Sequence, residues 1–366
     1  MSHLSLLGDN FSWPGFSLLG ESSLAITLDE TGTGIGNFNE LDFLILRGTT
    51  TVGIGSVGPP ATLNRLFQLA EMDNSLTTVT ISDSADFVLG GGSQQSNSGD
   101  GVVTDIAARA TSPTKIHSSL TLIDASATTG TVEILAGATN TSGAGHFRDG
   151  ESLNANVTIT YTGLTIKGGS GRTFIENDAK NGIVIEGNQI GDTVDLGGAG
   201  AKATLGIGSS DVVNVGFSNL GTSEAPGTAL GDKVTFGAAA TAALFVRPGA
   251  EAGSTAGTAS IGLTKVLDAA AGMGISFQDI TFDNHIADET AAVASATTLT
   301  AAENAAVAAL GSKGVAYFDF HGNEYFIATN NNGESAVSSH DAVVELVGIT
   351  NIHHAANSGG FVTLHV

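Results

Sequence analysis

Residues 191–197 read GDTVDLG, residues 210–216 read SDVVNVG and residues 231–237 read GDKVTFG. Each copy is a small residue, Asp, any residue, Val, any residue, an apolar residue and Gly. The aspartates are Asp192, Asp211 and Asp232, so the steps along the chain are 211 − 192 = 19 and 232 − 211 = 21. Alternating β-branched residues suit a short strand, and the flanking glycines suit tight corners. A unit of this kind recurring at intervals of ~20 residues predicts the coils of a β-solenoid. At that spacing the three aspartates are expected to stack at one corner of successive coils.

The same texture extends outward in both directions. Residues 24–28, 41–46, 76–82 (LTTVTIS), 120–124 (LTLID), 131–135 (TVEIL), 157–161 (VTITY) and 275–282 (ISFQDITF) read as short strands between Gly, Ser and Asn. Residues 92–101 (GSQQSNSGDG) read as a polar loop. Residues 61–71 (ATLNRLFQLAE) are expected to be helical, because Leu63, Leu66 and Leu69 recur at three-residue steps. Residues 286–300 read as an ambiguous segment or loop. Thr300 and Glu303 form a capping-box pattern ahead of a helix that Gly311 terminates. Strand 315–320, a turn at 321–324 and strand 325–330 read as a hairpin, and strands 342–348 and 361–366 follow. The expected fold is all-β: a parallel β-solenoid or β-roll-like body with a small C-terminal β module containing one helix. The expected divisions are 1–75, a strand-and-helix region; 76–299, the Gly/Thr-rich body; and 300–366, the C-terminal module.

Composition narrows the function. The chain has 366 residues, 41% of them apolar, which is enough for a substantial core. It carries 36 acidic and 13 basic residues for a net charge of −23, and no basic run occurs. A nucleic-acid partner is therefore not expected. The acidity suits a chain that meets Ca2+ outside the cell as well as it suits solubility alone. Without cysteine there is no disulfide and no thiolate metal site. The start, MSHLSLLGDNFSWPGF, has no basic n-region followed by a long apolar stretch, so no ordinary signal peptide is expected there. No segment reaches the ~18 apolar residues of a membrane span, so no membrane-spanning helix is expected.

Catalytic patterns are weak. GxSxG occurs only in broken form around Ser170, and Gly206-Ile207-Gly208 lacks the third glycine of a nucleotide fingerprint. Neither GxxxxGK[ST] nor HExxH is present, and the reading is that the chain is not an enzyme. His321, His340, His353, His354 and His365 cluster late, yet no helical His-x-x-x-His is among them. Solvated histidines are expected rather than a zinc site.

The repeat region resembles the nonapeptide GGxGxDxUx of RTX proteins, U being a large apolar residue. Residues 168–176 (GGSGRTFIE), 187–195 (GNQIGDTVD), 197–205 (GGAGAKATL) and 206–214 (GIGSSDVVN) carry the likeness. In that pattern glycines permit the turn, while the carboxylate and turn carbonyls offer the oxygens Ca2+ prefers. Thr173 and Lys202 stand at the Asp position in two copies, and Lys202 does not ligate a cation. The resemblance thus implies Ca2+ held by Asp192 and Asp211, with Asp232 in the third segment and Asp195 closing the second copy. The other reading is that these aspartates cap turns through Asx hydrogen bonds.

Residues 120–130 (LTLIDASATTG) and 164–171 (LTIKGGSG) are similar to segments of Gram-negative surface-layer proteins exported by type I secretion. Residues 317–330 (YFDFHGNEYFIATN) and 341–348 (DAVVELVG) resemble the end domain of those proteins. The resemblance implies an uncleaved C-terminal secretion signal, a Ca2+-stabilised fold and assembly on the cell exterior. The expected function is therefore a structural, self-assembling extracellular protein of a surface layer or filament. Its partners are copies of itself and cell-surface polysaccharide. A secreted adhesin or carbohydrate-binding module is the alternative, though Trp13, Tyr161, Tyr317 and Tyr325 offer few aromatic platforms. An RTX-type polysaccharide-acting enzyme ranks below it, since 13 scattered basic residues make a poor catalytic groove.

Overall fold

In strand Thr51–Val57 every second residue is buried, and Val52 and Ile54 are almost wholly so. The same alternation runs through Ser23–Glu30, where Leu24, Ile26 and Leu28 face inward. Period-two burial defines strands with one face on a core. The computed structural model describes residues 2–8, 12–13, 16–30, 38–59, 62–71, 75–89, 102–104, 114–117, 119–136, 157–160, 163–177, 182–185, 192–196, 202–205, 212–215, 233–236, 243–246, 263–277, 286–329, 333–338, 341–350, 353–357 and 361–365. The chain forms two compact units, Met1–Gln189 with Asn219–Thr222, and Ile190–Ser218 with Ser223–Val366.

In the first unit, one parallel sheet takes Ser2–Gly8, Ser23–Glu30, Thr51–Val57, Thr78–Asp83, Leu122–Thr128, Thr165–Lys167 and Ile183–Ile185 in order. Between these strands the chain visits a second parallel sheet: Ser12–Trp13, Phe38–Arg47, Leu63–Glu71, Asp86–Leu89, Val132–Ala136 and Thr173–Asn177. This is a β-solenoid. Inward columns fill its interior: Leu24, Val52, Val79, Ile123, Ile166 and Val184 are register partners in turn, each at most 1% exposed. Burying a side chain of that size contributes about 2 kcal/mol. The coils are unequal. Along that column the residue numbers 24, 52, 79, 123, 166 and 184 give steps of 28, 27, 44, 43 and 18.

Residues 63–71 are a strand, not the helix their leucine spacing suggests. Leu66 and Leu69 are both buried, and so are Leu41 and Leu44, which lie opposite them. Residues three apart face opposite sides of a regular strand. Each of the two strands therefore reverses its inward face at the same level. Beyond that reversal the strands pair with different neighbours, Phe16–Leu19 against Leu44 to Arg47 and Val102–Thr104 against Leu69 to Glu71. The three-residue step marks a corner between two facets rather than a helical face.

In the second unit, one sheet runs Lys202–Thr204, Lys233–Thr235, Thr264–Val266 in parallel. The other runs Thr193–Leu196, Val212–Val215, Ala243–Val246, Gly274–Phe277. Val194, Val213, Leu244 and Ile275 make one fully buried column. Both sheets then change character. Ala342–Leu346 lies parallel to Thr264–Val266 and antiparallel to Asn323–Thr329, which pairs with Gly314–Phe320 as a hairpin. Phe361–His365 pairs antiparallel with Gly274–Phe277 and with His353–Asn357.

The expected hairpin is present, with its loop at His321 and Gly322. Both residues have positive φ, 52° and 85°, as a primed two-residue turn requires. The segment 286–300, ambiguous in the sequence, holds strand Ile286–Asp288 and the helical turn Thr290–Val293. The expected helix is Leu299–Leu310, but Thr298 caps it, not Thr300. The Thr298 hydroxyl accepts the Ala301 N–H at 3.2 Å from an extended backbone, while Glu303 is buried on the packed face. Gly311 closes the helix with φ 63°. Among the described residues no helix is long and apolar enough to cross a membrane.

Candidate functional site: an open edge and a closed one

A solenoid is a stack of strand ladders, and its functional problem lies at the edges. In the first unit, Ser2–Gly8 (SHLSLLG) pairs with Ser23–Glu30 along its whole length, from Ser2 opposite Leu24 to Gly8 opposite Glu30. Among the described residues nothing pairs with its other side. The segment contains no Asp, Glu, Lys, Arg or Pro, the residues with which proteins blunt an edge. Leu7 is 60% exposed. His3 is exposed and bonds Ser5 at 2.8 Å.

The second unit treats its sheets differently. The antiparallel hairpin continues the first sheet and ends at Ile286–Asp288, a strand of 3 residues. The helix covers this part from outside: Ala302, Ala306, Val307 and Leu310 pack with Phe318, Phe320, Tyr325, Ile327 and Val343. Ala342–Leu346 is consequently buried on both faces. A polar knot ties it down. Glu345, 4% exposed, lies opposite Lys265 in register and meets the Lys265 amine at 2.7 Å. Its other oxygen accepts from the Tyr325 hydroxyl at 3.1 Å and from the Asn323 amide at 2.5 Å. The Asn323 carbonyl oxygen accepts the Gly348 N–H at 2.7 Å.

Burial, together with the Glu345 and Glu303 carboxylates, pushes the Tyr325 hydroxyl up to about 12 from 10.0. A folded value above the unfolded one means stability that is complete below pH 10.0 and lost as pH rises through about 12. Tyr325→Phe is expected to lack this alkaline loss, on the order of 2 kcal/mol. Urea titrations at neutral and alkaline pH measure it, and parallel curves for the two proteins would contradict it.

The strands that follow the sequence-predicted ligands fall in two sheets. Asp192 is 1% exposed, just ahead of Thr193–Leu196, and its carbonyl accepts the Val212 N–H at 2.8 Å. Asp195 is opposite Asn214. Asp211, Asp232, His340 and the loop at 92–101 lie outside the described residues. The strands after Asp192 and Asp211 pair with each other, but Lys233–Thr235, after Asp232, pairs with Lys202–Thr204 in the opposite sheet. The three motif copies therefore do not belong to one column. The step from the first copy to the second is one coil, whereas the slightly longer step to the third carries the chain to the other sheet. Among the described residues no three His, Asp or Glu converge as metal ligands. Thr173 is buried and donates to the Gly171 carbonyl at 3.2 Å. His321 stacks on Phe320 at 4.0 Å, and His353 lies opposite His365.

The Glu345 knot was not legible in the sequence, because Lys265, Asn323, Tyr325 and Glu345 come from three strands that only the fold brings together. Outside the motif repeat, Asp124 lies opposite Lys167 and bonds its amine at 2.8 Å. Burial pushes its carboxyl up, but bonds from Lys167 and Ser126 outweigh this and hold it below the ordinary value.

These features define a class: a parallel β-solenoid in which, among the described residues, Ser2–Gly8 is unpaired on one side, and an antiparallel, helix-covered C-terminal module. Compared with known proteins, the chain matches no family model, no curated protein and no solved structure.

Proposed function

We propose that the chain is a structural protein, not an enzyme, that associates with copies of itself into an extracellular layer or filament, with the edge Ser2–Gly8 as one of the contacts. The observation that carries this reading is the edge: 7 residues of parallel strand with no charge and no proline. Such a strand is a template for further pairing, whereas the C-terminal module is covered and ends in a short strand. Export by a type I route is supported by the resemblance of residues 317–330 and 341–348 to the end domain of surface-layer proteins. Calcium stabilisation is supported by the net charge of −23 and the repeat containing Asp192, Asp195, Asp211 and Asp232.

Light scattering and negative-stain microscopy of the purified chain with millimolar Ca2+ test the reading. Ordered assemblies are expected. Ser5→Lys with Leu7→Lys, both at exposed positions, should raise the concentration needed about tenfold, the equivalent of about 1.4 kcal/mol. Chelator should lower the melting temperature of wild type and of Asp124→Ala, but not further lower that of Asp192→Ala. A chain that stays monomeric with Ca2+, or lysine variants that assemble as readily, would remove the edge from the proposal. A melting curve indifferent to chelator would remove the calcium.

A further inference from the structure

Lys202, Lys233 and Lys265 stand on successive strands of the second unit's first sheet. They are direct register partners, Lys202 opposite Lys233 and Lys233 opposite Lys265. Adjacent strands lie about 4.8 Å apart, so the three cations form a column at that step. The next residues, Ala203, Val234 and Val266, are buried at 0–1% exposure, which turns the lysines to the outer face. Lys202 and Lys233 are exposed, and among the described residues neither has an ion-pair partner. Lys265 is held by Glu345, so the column ends there. Two residues along the same face, Thr204 lies opposite Thr235. Leu267, 44% exposed, directly follows the end of the next strand.

Stability gives no reason for this arrangement. Like charges directly opposite one another destabilise a sheet, and a chain with 36 acidic residues has ample means to pair them. We propose that this face binds a linear anionic polysaccharide, with carboxylates of successive sugars on the lysines and sugar hydroxyls on Thr204 and Thr235. The site is independent of self-association through Ser2–Gly8. The acidic register pair Asp319 opposite Glu324 has Glu324 buried at 1% exposure, so the described acidic residues offer no exposed column that would make a second copy the better partner. Asp124 stands between Thr80 and Lys167, Glu133 between Val88 and Phe174, and Asp195 opposite Asn214. Nor, among the described residues, does the lysine and threonine face present an aromatic ring on which nucleic-acid bases would stack.

Calorimetric titration of the monomeric full chain with oligogalacturonates of increasing length, at low and physiological salt, tests the proposal. Affinity is expected to rise with length until the oligomer spans the column, and to fall with salt. Lys202→Gln and Lys233→Gln should each weaken binding about fivefold, the scale of one exposed charge contact. The double variant should lose more than either, while thermal melts stay unchanged. Lys313→Gln, which removes one charge elsewhere in the same unit, should bind as wild type does. No binding at low salt overturns the proposal, as does an equal loss in Lys313→Gln. A single-stranded polynucleotide binding as tightly would reduce the column to an unselective cation patch. Loss of assembly in Lys233→Gln without any sugar binding would assign the column to a contact between copies instead.

Discussion

Gly130→Ala is expected to destabilise the first unit by about 3 kcal/mol, the upper range for forcing atoms into a packed site. Ser84-Ala85, Thr129-Gly130 and Ser170-Gly171 form the same corner in three successive coils. The coils are laced there by backbone bonds, Thr129 N–H to Asp83 carbonyl at 3.0 Å and Ser170 N–H to Thr128 carbonyl at 2.9 Å. A methyl group on Gly130 would sit 2.6 Å from the Ala85 carbonyl oxygen and 2.8 Å from that of Ser84. These are backbone atoms of the neighbouring coil, and they cannot retreat without opening the stack. Gly53→Ala is the control. Its methyl would meet the Thr80 hydroxyl at 3.4 Å, an ordinary contact, and its effect should stay within about 0.5 kcal/mol. Urea unfolding of the two variants decides it, and equal midpoints would mean that the corner is loosely stacked.

Phe318→Ala should cost the second unit about 4 kcal/mol. Phe318 is fully buried, stacks on Tyr325 with ring centroids 5.3 Å apart and packs in the cluster shared with Ala302, Ala306 and Val307. The cavity would lie between the helix and the hairpin, so the helix cover loosens first. Amide exchange in Leu299–Leu310 and Asn323–Thr329 should therefore accelerate before that in Ala243–Val246. Leu267→Ala, at an exposed position, should change stability by less than about 0.5 kcal/mol. A loss below about 1 kcal/mol in Phe318→Ala would mean that the helix contributes little to closing the module.

Much of the second unit's C-terminal module was legible locally. The hairpin, the following strands and the Gly311 stop depend on neighbours in sequence, and such signals survive in a single chain. The cap position did not follow so simply. Thr298 and Thr300 both offer a hydroxyl, and burial of Glu303 against the sheet selects the earlier start. Of the candidate site, the repeat was legible as strands between glycines, but its assignment to a single corner was not. Two of the copies share a sheet; the strand of the third belongs to the opposite one.

By itself the sequence determined that the chain is built of short strands with tight corners. Period-two alternation in segments such as Ser23–Glu30 and Thr51–Val57 is a property of each segment alone. Tertiary structure decided what those strands touch. Closing a longer loop costs only slightly more entropy, so the long coil from Val79 to Ile123 and the short one from Ile166 to Val184 coexist in one ladder, and no fixed period announces it. Residues 63–71 show the consequence. Their leucines fit a helix face until the partner strand, with its own reversal between Leu41 and Leu44, makes the same spacing a corner. The lysine column is the same case: 233 − 202 = 31 and 265 − 233 = 32 become one row of charges only through strand pairing.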